Sequence, residues 1–394
     1  MSGGIMRRLG LSVGFLICCV SAGLLWANTV SAASPGLVIK ARQAFMIDAE
    51  TGTVLLAQNE NEIFPPASLA KLMTTEVVLD AIAKGEINRD TQYPVSEYAW
   101  RTGGAPSRTS TMFAALKSSI RVEDLLTGIV VQNGNDSCII LAEGLTGSDG
   151  AFAKRMTERA ALLGLTHTAF TNSTGLPDPG NKTSAKDMVF LAQHIQKTYP
   201  DFYPSFSKPD FEWNRIFQRN KNSLLALNAG IDGMGLGFAE GSGYALVASA
   251  ERDGRRVFLA MGGLADDKER MDETRRVVEW GLTAFESRRL FDKGASVGTI
   301  SVYGGAAAGV ELAVADPINV LVPVNNPERL SARIVYHWPL NAPVQAGYNA
   351  GTLRIFMGES MLREVPLYTT ATVEKGTLRQ RAGAALTELL FFWL

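Results

Sequence analysis

Two consecutive prolines, Pro65 and Pro66, stand directly before an unbroken run of helix-compatible residues, and that junction constrains the chain more than any other stretch. Proline does not sit inside a helix but fixes the approach to one. From Ser68 onward, Leu69, Ala70, Leu72, Met73, Val77, Val78 and Leu79 are apolar and helix-compatible, so a helix is predicted from about residue 68 to about residue 83. Such a helix carries Ser68 and Lys71 one turn apart on the same face. A serine at a helix N-terminus lies at the positive end of the macrodipole, which favours a developing negative oxygen. A lysine one turn along, held among apolar neighbours, is disfavoured as a cation and can act as a base. The same spacing also arises as an N-cap serine followed by a surface lysine, so the pair takes its meaning from the rest of the chain.

The length of 394 residues suits two to three domains. With 46% hydrophobic and 20% charged residues and a formal net charge of -1, the chain can bury ordinary cores, and nothing in its charge favours nucleic acid as a partner. The N-terminus differs. Arg7 and Arg8 precede a charge-free run over residues 9–26, and Val30-Ser31-Ala32 offers small residues for a signal peptidase. Residues 1–33 therefore read as a secretory signal, cut near Ala32 or Ala33, since the apolar run is near the lower length for a membrane span. Cys18 and Cys19 lie within it, which leaves Cys138 alone and the mature chain without an intramolecular disulfide. Export to a bacterial periplasm is the simplest compartment.

Beyond the signal, residues 43–48 and 52–57 read as a hairpin that feeds the Pro-Pro junction. Helices are expected over 122–131, 137–145, 151–163 and 183–198, the last capped by Thr183 or Ser184. Runs 245–250 and 257–261 around Arg252-Asp253-Gly254 form a second hairpin, followed by a long helix over 269–285. This makes residues 34–286 an α/β or α+β domain, a sheet flanked by helices. Residues 287–373 shift to short alternating runs spaced by Gly, Pro and Asn, an all-β, sandwich-like domain. In residues 374–394, Leu378, Ala382, Ala385, Leu386, Leu389, Leu390 and Trp393 fall at helical spacing with Arg379 and Arg381 near the start. That amphipathic tail suits the plane of a membrane surface; docking on its own β domain is the alternative.

His167, His194 and His337 lie far apart without metal-ligand spacing and read as structural. The glycines of 233–243 form no nucleotide loop. Neither a metal nor another cofactor is expected, and Cys138, in an apolar helix, reads as a buried inert thiol.

The order hairpin, Pro-Pro-Ala-Ser68-Leu-Ala-Lys71, Gln132-Asn133-Gly134-Asn135-Asp136 and Asp232-Gly233 through Gly243-Tyr244 resembles the D-alanyl-D-alanine carboxypeptidases, low-molecular-mass penicillin-binding proteins. Gly164-Leu165-Thr166, Thr174-Gly175-Leu176, Ser184-Ala185-Lys186-Asp187-Met188 and Asn220-Lys221-Asn222 support the likeness, which spans nearly the whole mature chain. The resemblance implies a penicillin-binding, β-lactamase-like transpeptidase fold, Ser68 as the acylated nucleophile and Lys71 as the general base. It also implies peptidoglycan peptides as substrates and β-lactams as acylating mimics. The protein would then be attached by its tail helix to the outer face of the inner membrane.

Two family motifs are altered. The Ser-x-Asn motif, whose serine relays a proton and whose asparagine holds the substrate amide, reads Asn133-Gly134-Asn135; an amide hydrogen-bonds but does not readily pass a proton. The Lys-Thr-Gly motif, whose lysine and threonine receive the substrate's terminal carboxylate, reads Gly235-Leu236-Gly237. By the resemblance, the N–H of Phe238 still pairs with that of Ser68 as an oxyanion hole. Either another cation substitutes for the missing clamp, or the chain keeps the fold with little catalysis and binds wall peptides or scaffolds wall enzymes. By the resemblance Arg219 is a candidate substitute: it lies two residues beyond a position where relatives often carry a basic residue, and residues 217 and 219 share a face if their segment is a strand; a solvated surface arginine is the alternative. A β-lactamase-type hydrolase fits less well with a β domain and an anchoring tail.

Overall fold

The computed structural model describes residues 37–324, 329–336 and 338–391. The signal segment, His337 and the last three residues of the tail lie outside the described residues. The first hairpin is β1 (Gln43–Asp48) and β2 (Val54–Gln58). Residues Ala67–Leu69 make a single 3-10 turn that runs into α1 (Ala70–Ala83). A helical region follows, with α2 (Glu97–Thr102) set between the short paired strands β3 (Gln92–Pro94) and β4 (Ser119–Arg121). Then come α3 (Val122–Gln132), α4 (Asn135–Thr146), α5 (Asp149–Leu162) and α6 (Ala185–Thr198).

A small hairpin, β5 (Asp210–Trp213) and β6 (Ile216–Arg219), precedes the long strands β7 (Ile231–Ala239), β8 (Gly243–Arg252) and β9 (Arg255–Leu264) and then α7 (Asp267–Thr283). The main sheet has the order β2-β1-β9-β8-β7 with every pairing antiparallel, so its N-terminal hairpin and its late strands are joined at β1–β9. Strand β7 is an edge of this sheet.

Alternation along these strands divides the core in two. Phe45, Ile47, Val247, Phe258 and Ala260 face the helical region with α1, α3, α4 and α6, whereas Met46, Leu246, Ala248, Leu259 and Met261 face α7. The hairpin β8–β9 turns on Asp253 and Gly254, both at positive φ, the backbone that an Asp-Gly pair supplies. Helix α6 is capped by Ser184, whose hydroxyl accepts the Asp187 N–H at 3.1 Å. Glu76, fully buried on α1, accepts from Arg159 and lies 3.2 Å from His194 Nε2, so His194 packs into a structural polar cluster.

The C-terminal region holds β10 (Phe285–Phe291), β11 (Ser296–Tyr303), β12 (Gly309–Val314), β13 (Ile318–Pro323), β14 (Leu330–Tyr336), β15 (Leu340–Asn341), β16 (Asn349–Met357) and β17 (Ser360–Thr369). A six-stranded sheet, β14-β16-β17-β12-β11-β15, packs with the β10–β13 pair around Ile300, Leu312, Val320, Leu353 and Leu367. This cluster is continuous with the α7 face of the main sheet. The expected helix over 269–285 ends at Thr283, and Phe285 opens β10 instead, pairing with Pro323. Helix α8 (Leu378–Phe391) follows. Its first turn is tied down by a Gln380 Nε2 donation to Ala306 O at 3.2 Å, while Leu378 and Leu386 are exposed. No described helix is long and apolar enough to cross a membrane.

Candidate active site

Ser68 lies in the middle of the 3-10 turn rather than at the first residue of α1. The cause is local: Pro66 starts the turn, and Ala67 takes φ +48°, a sparsely populated conformation for a residue with a Cβ. The tight turn presents Ser68 half-exposed, with Lys71 beneath it on the first turn of α1. Lys71 Nζ lies 3.1 Å from Ser68 Oγ and donates to the Thr174 carbonyl at 2.8 Å. The lysine is 4% exposed, and burial lowers its pKa from 10.5 to about 8. Cys138, buried beside the same apolar core, is pushed up to about 12 by burial. Its thiol is expected to resist a maleimide or disulfide reagent in the folded protein and to react after denaturation; rapid labelling of native protein contradicts that placement.

The loop carrying Thr174 is fixed by Asn172, whose Oδ1 accepts from the Thr174 N–H, the Thr174 hydroxyl and the Gly175 N–H. Gly175 has φ +76°, and a Cβ there would lie 1.7 Å from the Ala67 carbonyl oxygen. Glycine is therefore what lets this loop reach under the serine turn and hold the lysine.

Asn133 ends α3 in the left-handed conformation, φ +56°, which asparagine tolerates, and Asn135 opens α4 two residues later. Buried Asp136 ties α4 to the neighbouring loop by accepting from Thr111 Oγ1 (2.5 Å), Met112 N (2.9 Å) and Ala114 N (3.0 Å). Asn135 Nδ2 donates to Thr109 Oγ1 at 3.0 Å, while its Oδ1 is buried without a partner among the described residues. An unpaired buried acceptor costs free energy unless a ligand supplies the donor.

Strand β7 runs past the serine turn. A Cβ on Gly237 would meet Pro66 O at 3.1 Å and Leu69 Cγ at 3.3 Å, whereas one on Gly235 would meet Leu69 Cδ2 at 3.7 Å. Positions 235 and 237 thus face the turn. Leu236, half-buried, packs toward the α7 face, and exposed Phe238 lies against Tyr244 with ring centroids 4.7 Å apart. Arg270 braces this end of the strand by donating to Gly237 O at 3.2 Å while stacking over the Tyr244 ring at 5.2 Å.

A cavity of about 40 Å³ opens where the side chain of residue 235 is missing, lined by Lys71, Asn133, Gly235 and Lys221. A second, of about 400 Å³, is lined by Phe113, Ile216, Phe217, Arg219 and again Lys221. Residues 217 and 219 do share the exposed face of β6, as alternation requires, with Gln218 turned inward to donate to Met112 O at 3.2 Å. That face lines the second cavity, not the one holding Lys71. The cation on the Lys71 cavity is Lys221, placed just beyond β6 by its N–H donation to Val131 O at 2.8 Å. Neither Lys221 nor Thr174 was singled out from sequence, although both sit in stretches that carry the resemblance. No cluster of three or more His, Cys, Asp or Glu side chains suited to a metal occurs among the described residues.

Residues 28–263 match the family described as D-alanyl-D-alanine carboxypeptidase, and residues 285–375 match the penicillin-binding protein 5 C-terminal domain. The chain is 32% identical over 375 residues to the D-alanyl-D-alanine carboxypeptidase DacC of Escherichia coli (strain K12), covering 94% of this chain and 93% of that protein. Penicillin-binding protein 5 from Haemophilus influenzae superposes with a TM-score of 0.77 at 30% identity, over 86% of this chain and 99% of that one. Penicillin-binding protein D2 from Listeria monocytogenes, in its ampicillin-bound form, gives 0.54 at 28% identity, over 64% of this chain and 100% of that one. The chain belongs to the D-alanyl-D-alanine carboxypeptidase family.

Proposed function

We propose that the protein is a serine-type D-alanyl-D-alanine peptidase acting on peptidoglycan stem peptides through a Ser68 acyl-enzyme. The observation that carries this reading is the 3.1 Å approach of a buried Lys71 amine, with its pKa lowered to about 8, to the Ser68 hydroxyl. At that pKa about a tenth of the amine is neutral at pH 7, enough to accept a proton. In the reaction, neutral Lys71 takes the hydroxyl proton as Ser68 Oγ attacks the penultimate D-alanyl carbonyl. The N–H groups of Ser68 and Phe238 receive the developing oxyanion. The C–N bond breaks, the leaving amine takes the proton, and water then hydrolyses the ester to free the carboxylate and restore the serine.

Asn135 Oδ1, without a partner among the described residues, is the acceptor for a substrate amide N–H. Asn133 has no hydroxyl to join the proton relay, so Lys71 carries that task from its own position. With glycine and leucine at 235 and 236, Lys221 offers the positive charge nearest the substrate's carboxylate end, in place of Arg219. Gly235, Leu236 and Gly237 contribute their strand edge. The same acyl chemistry makes β-lactams covalent inhibitors.

An exported protein, cleaved after the first 33 residues and held by α8 at the outer face of the inner membrane, suits that substrate. Exposed Leu378 and Leu386 beside Arg379 and Arg381 support surface attachment. Domain limits of 34–286 for catalysis and 287–373 for the β region accord with this division of labour. The deciding experiment measures D-alanine release from a purified pentapeptide. Release by the parent and none by Ser68→Ala supports the reading. No release from either, with stoichiometric pentapeptide binding, supports a non-catalytic wall-peptide binder, which the altered 133 and 235–236 positions favour.

A further inference from the structure

Strand β7 gains a residue on its neighbour β8 near its start. Ile231 pairs with Ala250 and Gly233 with Ser249, so Asp232 is an extra residue, and every pairing from Gly233 to Ala239 is displaced by one. A displacement of one residue exchanges the two faces of a strand. The displaced register is the one that turns Gly235 and Gly237 toward the serine turn, where a Cβ on Gly237 would already lie 3.1 Å from Pro66 O. It also turns Leu236 toward the α7 face. In the other register Leu236 and Phe238 would press on the serine turn, which has no room for them. The Phe238 N–H, which the acyl-enzyme reading assigns to the oxyanion, would then point into the ladder with β8.

The extra residue is pinned. Asp232 and Arg256 of β9 form a bidentate pair, with Oδ1 accepting from Nη1 at 2.9 Å and Oδ2 lying 2.8 Å from Nη2. Oδ1 also accepts from the Tyr203 hydroxyl at 2.7 Å, and that hydroxyl accepts from Arg256 Nη1 at 3.1 Å. Ser249 Oγ and Glu251 Oε2 on β8 hold the same guanidinium, which stacks 5.3 Å from the Tyr203 ring centroid. Burial and the Asp232 carboxylate push the pKa of the Tyr203 phenol up, so it stays a donor. Tyr203 opens a 3-10 turn, Tyr203–Ser207, whose Phe206 lines the cavity holding Lys71. The cluster therefore ties β7 to the opposite wall of the cleft, although Asp232, Arg256 and Tyr203 do not line that cavity themselves.

We infer that Asp232 and Arg256 are positioning residues for acylation: their pair holds the extra residue in β7 and thereby aims the Phe238 N–H at the oxyanion that forms when Ser68 attacks. Removing either partner leaves the other charge without its main counterpart and frees the register to slip. The inference rests on the acyl-enzyme reading above.

Acylation of the full mature chain by benzylpenicillin is followed against drug concentration, which separates the limiting rate from the dissociation constant of the initial complex. Rates are referred to the fraction of protein acylated at the end point, so misfolded material does not count. The limiting rate is expected to fall about tenfold in Asp232→Asn and about a hundredfold in Asp232→Ala, the latter approaching loss of an oxyanion donor. The dissociation constant stays within about threefold of the parent, because the oxyanion forms only after binding. The pH inflection near 8 stays in place, since Lys71 keeps its own partners. Asp232→Asn combined with Arg256→Gln is no slower than the slower single variant, because both remove one pairing. A limiting rate within about twofold of the parent in both Asp232 variants, whatever the fall in unfolding temperature, makes the cluster purely structural and overturns the inference. Losses that multiply in the double variant, or a displaced pH inflection, overturn it too. If Asp232→Ala does not fold, Asp232→Asn and Tyr203→Phe decide the same point, the latter being expected about threefold slower than the parent. If penicillin leaves Ser68 of the parent unmodified, the acyl-enzyme reading fails and takes the inference with it.

Discussion

Replacing Lys71 by alanine is expected to slow acylation of Ser68 by penicillin by about 10³-fold, within the span that general bases contribute. The reason is geometric as much as electrostatic, since no other amine lies within hydrogen-bond reach of the Ser68 hydroxyl among the described residues. The pH profile identifies the group. Burial lowers the lysine pKa to about 8, so the base is lost as pH falls through that value. Parent acylation should rise about tenfold from pH 7 to pH 9 and level off above it. The same shift enters stability with a fixed sign. In the unfolded chain the amine keeps its ordinary value of 10.5, so the unfolded state binds more protons between about 8 and 10.5. Stability from keeping the amine neutral is fully present above 10.5 and is lost as pH falls through about 8. Lys71→Ala should flatten both dependences; a profile with the same inflection in the variant contradicts the assignment.

Restoring the missing pair in Gly235→Lys with Leu236→Thr is expected to raise kcat/KM for a pentapeptide about ten- to a hundredfold. One charge-assisted hydrogen bond is worth about 1.5–3 kcal/mol, which is about that factor in rate. Room for the lysine exists: a Cβ at 235 meets nothing nearer than Leu69 Cδ2 at 3.7 Å, and the chain beyond it enters the cavity between Lys71, Asn133 and Lys221. Two cations would then flank Lys71, which disfavours its protonated form and moves the pH inflection lower. The leucine change carries a cost, since Leu236 packs toward the α7 face, so Gly235→Lys alone serves as the control for folding. A double variant that is folded yet no faster on the pentapeptide than the parent would contradict the assignment of that end of the cleft.

Short-range features were legible before any coordinates. The Ser68–Lys71 pair needs only one helical turn, and β8–β9 follows from an Asp-Gly turn between two apolar runs. Boundaries slipped where a single residue's conformation decided them: positive φ at Ala67 converts the first turn to 3-10 and delays α1 to Ala70. Long-range partners were not legible. Thr174, which anchors Lys71, is 103 residues away, and nothing in its neighbours announces that its carbonyl will meet an amine. Arg219 and Lys221 differ by two positions, and alternation along β6 correctly gives residues 217 and 219 one face without saying which cavity that face lines. Chain geometry past the strand end brings Lys221 to the cleft, and the stretch Asn220-Lys221-Asn222 was the available signal.

The central claim is that one hydroxyl, activated by a buried amine, becomes covalently acylated. Peptide mapping by mass spectrometry after incubation with benzylpenicillin tests it most directly. The predicted result is a single penicilloyl adduct on the peptide containing Ser68, absent from Ser68→Ala and greatly slowed in Lys71→Ala. An unmodified Ser68 peptide after prolonged incubation of folded protein, or the same adduct in Ser68→Ala, would contradict it.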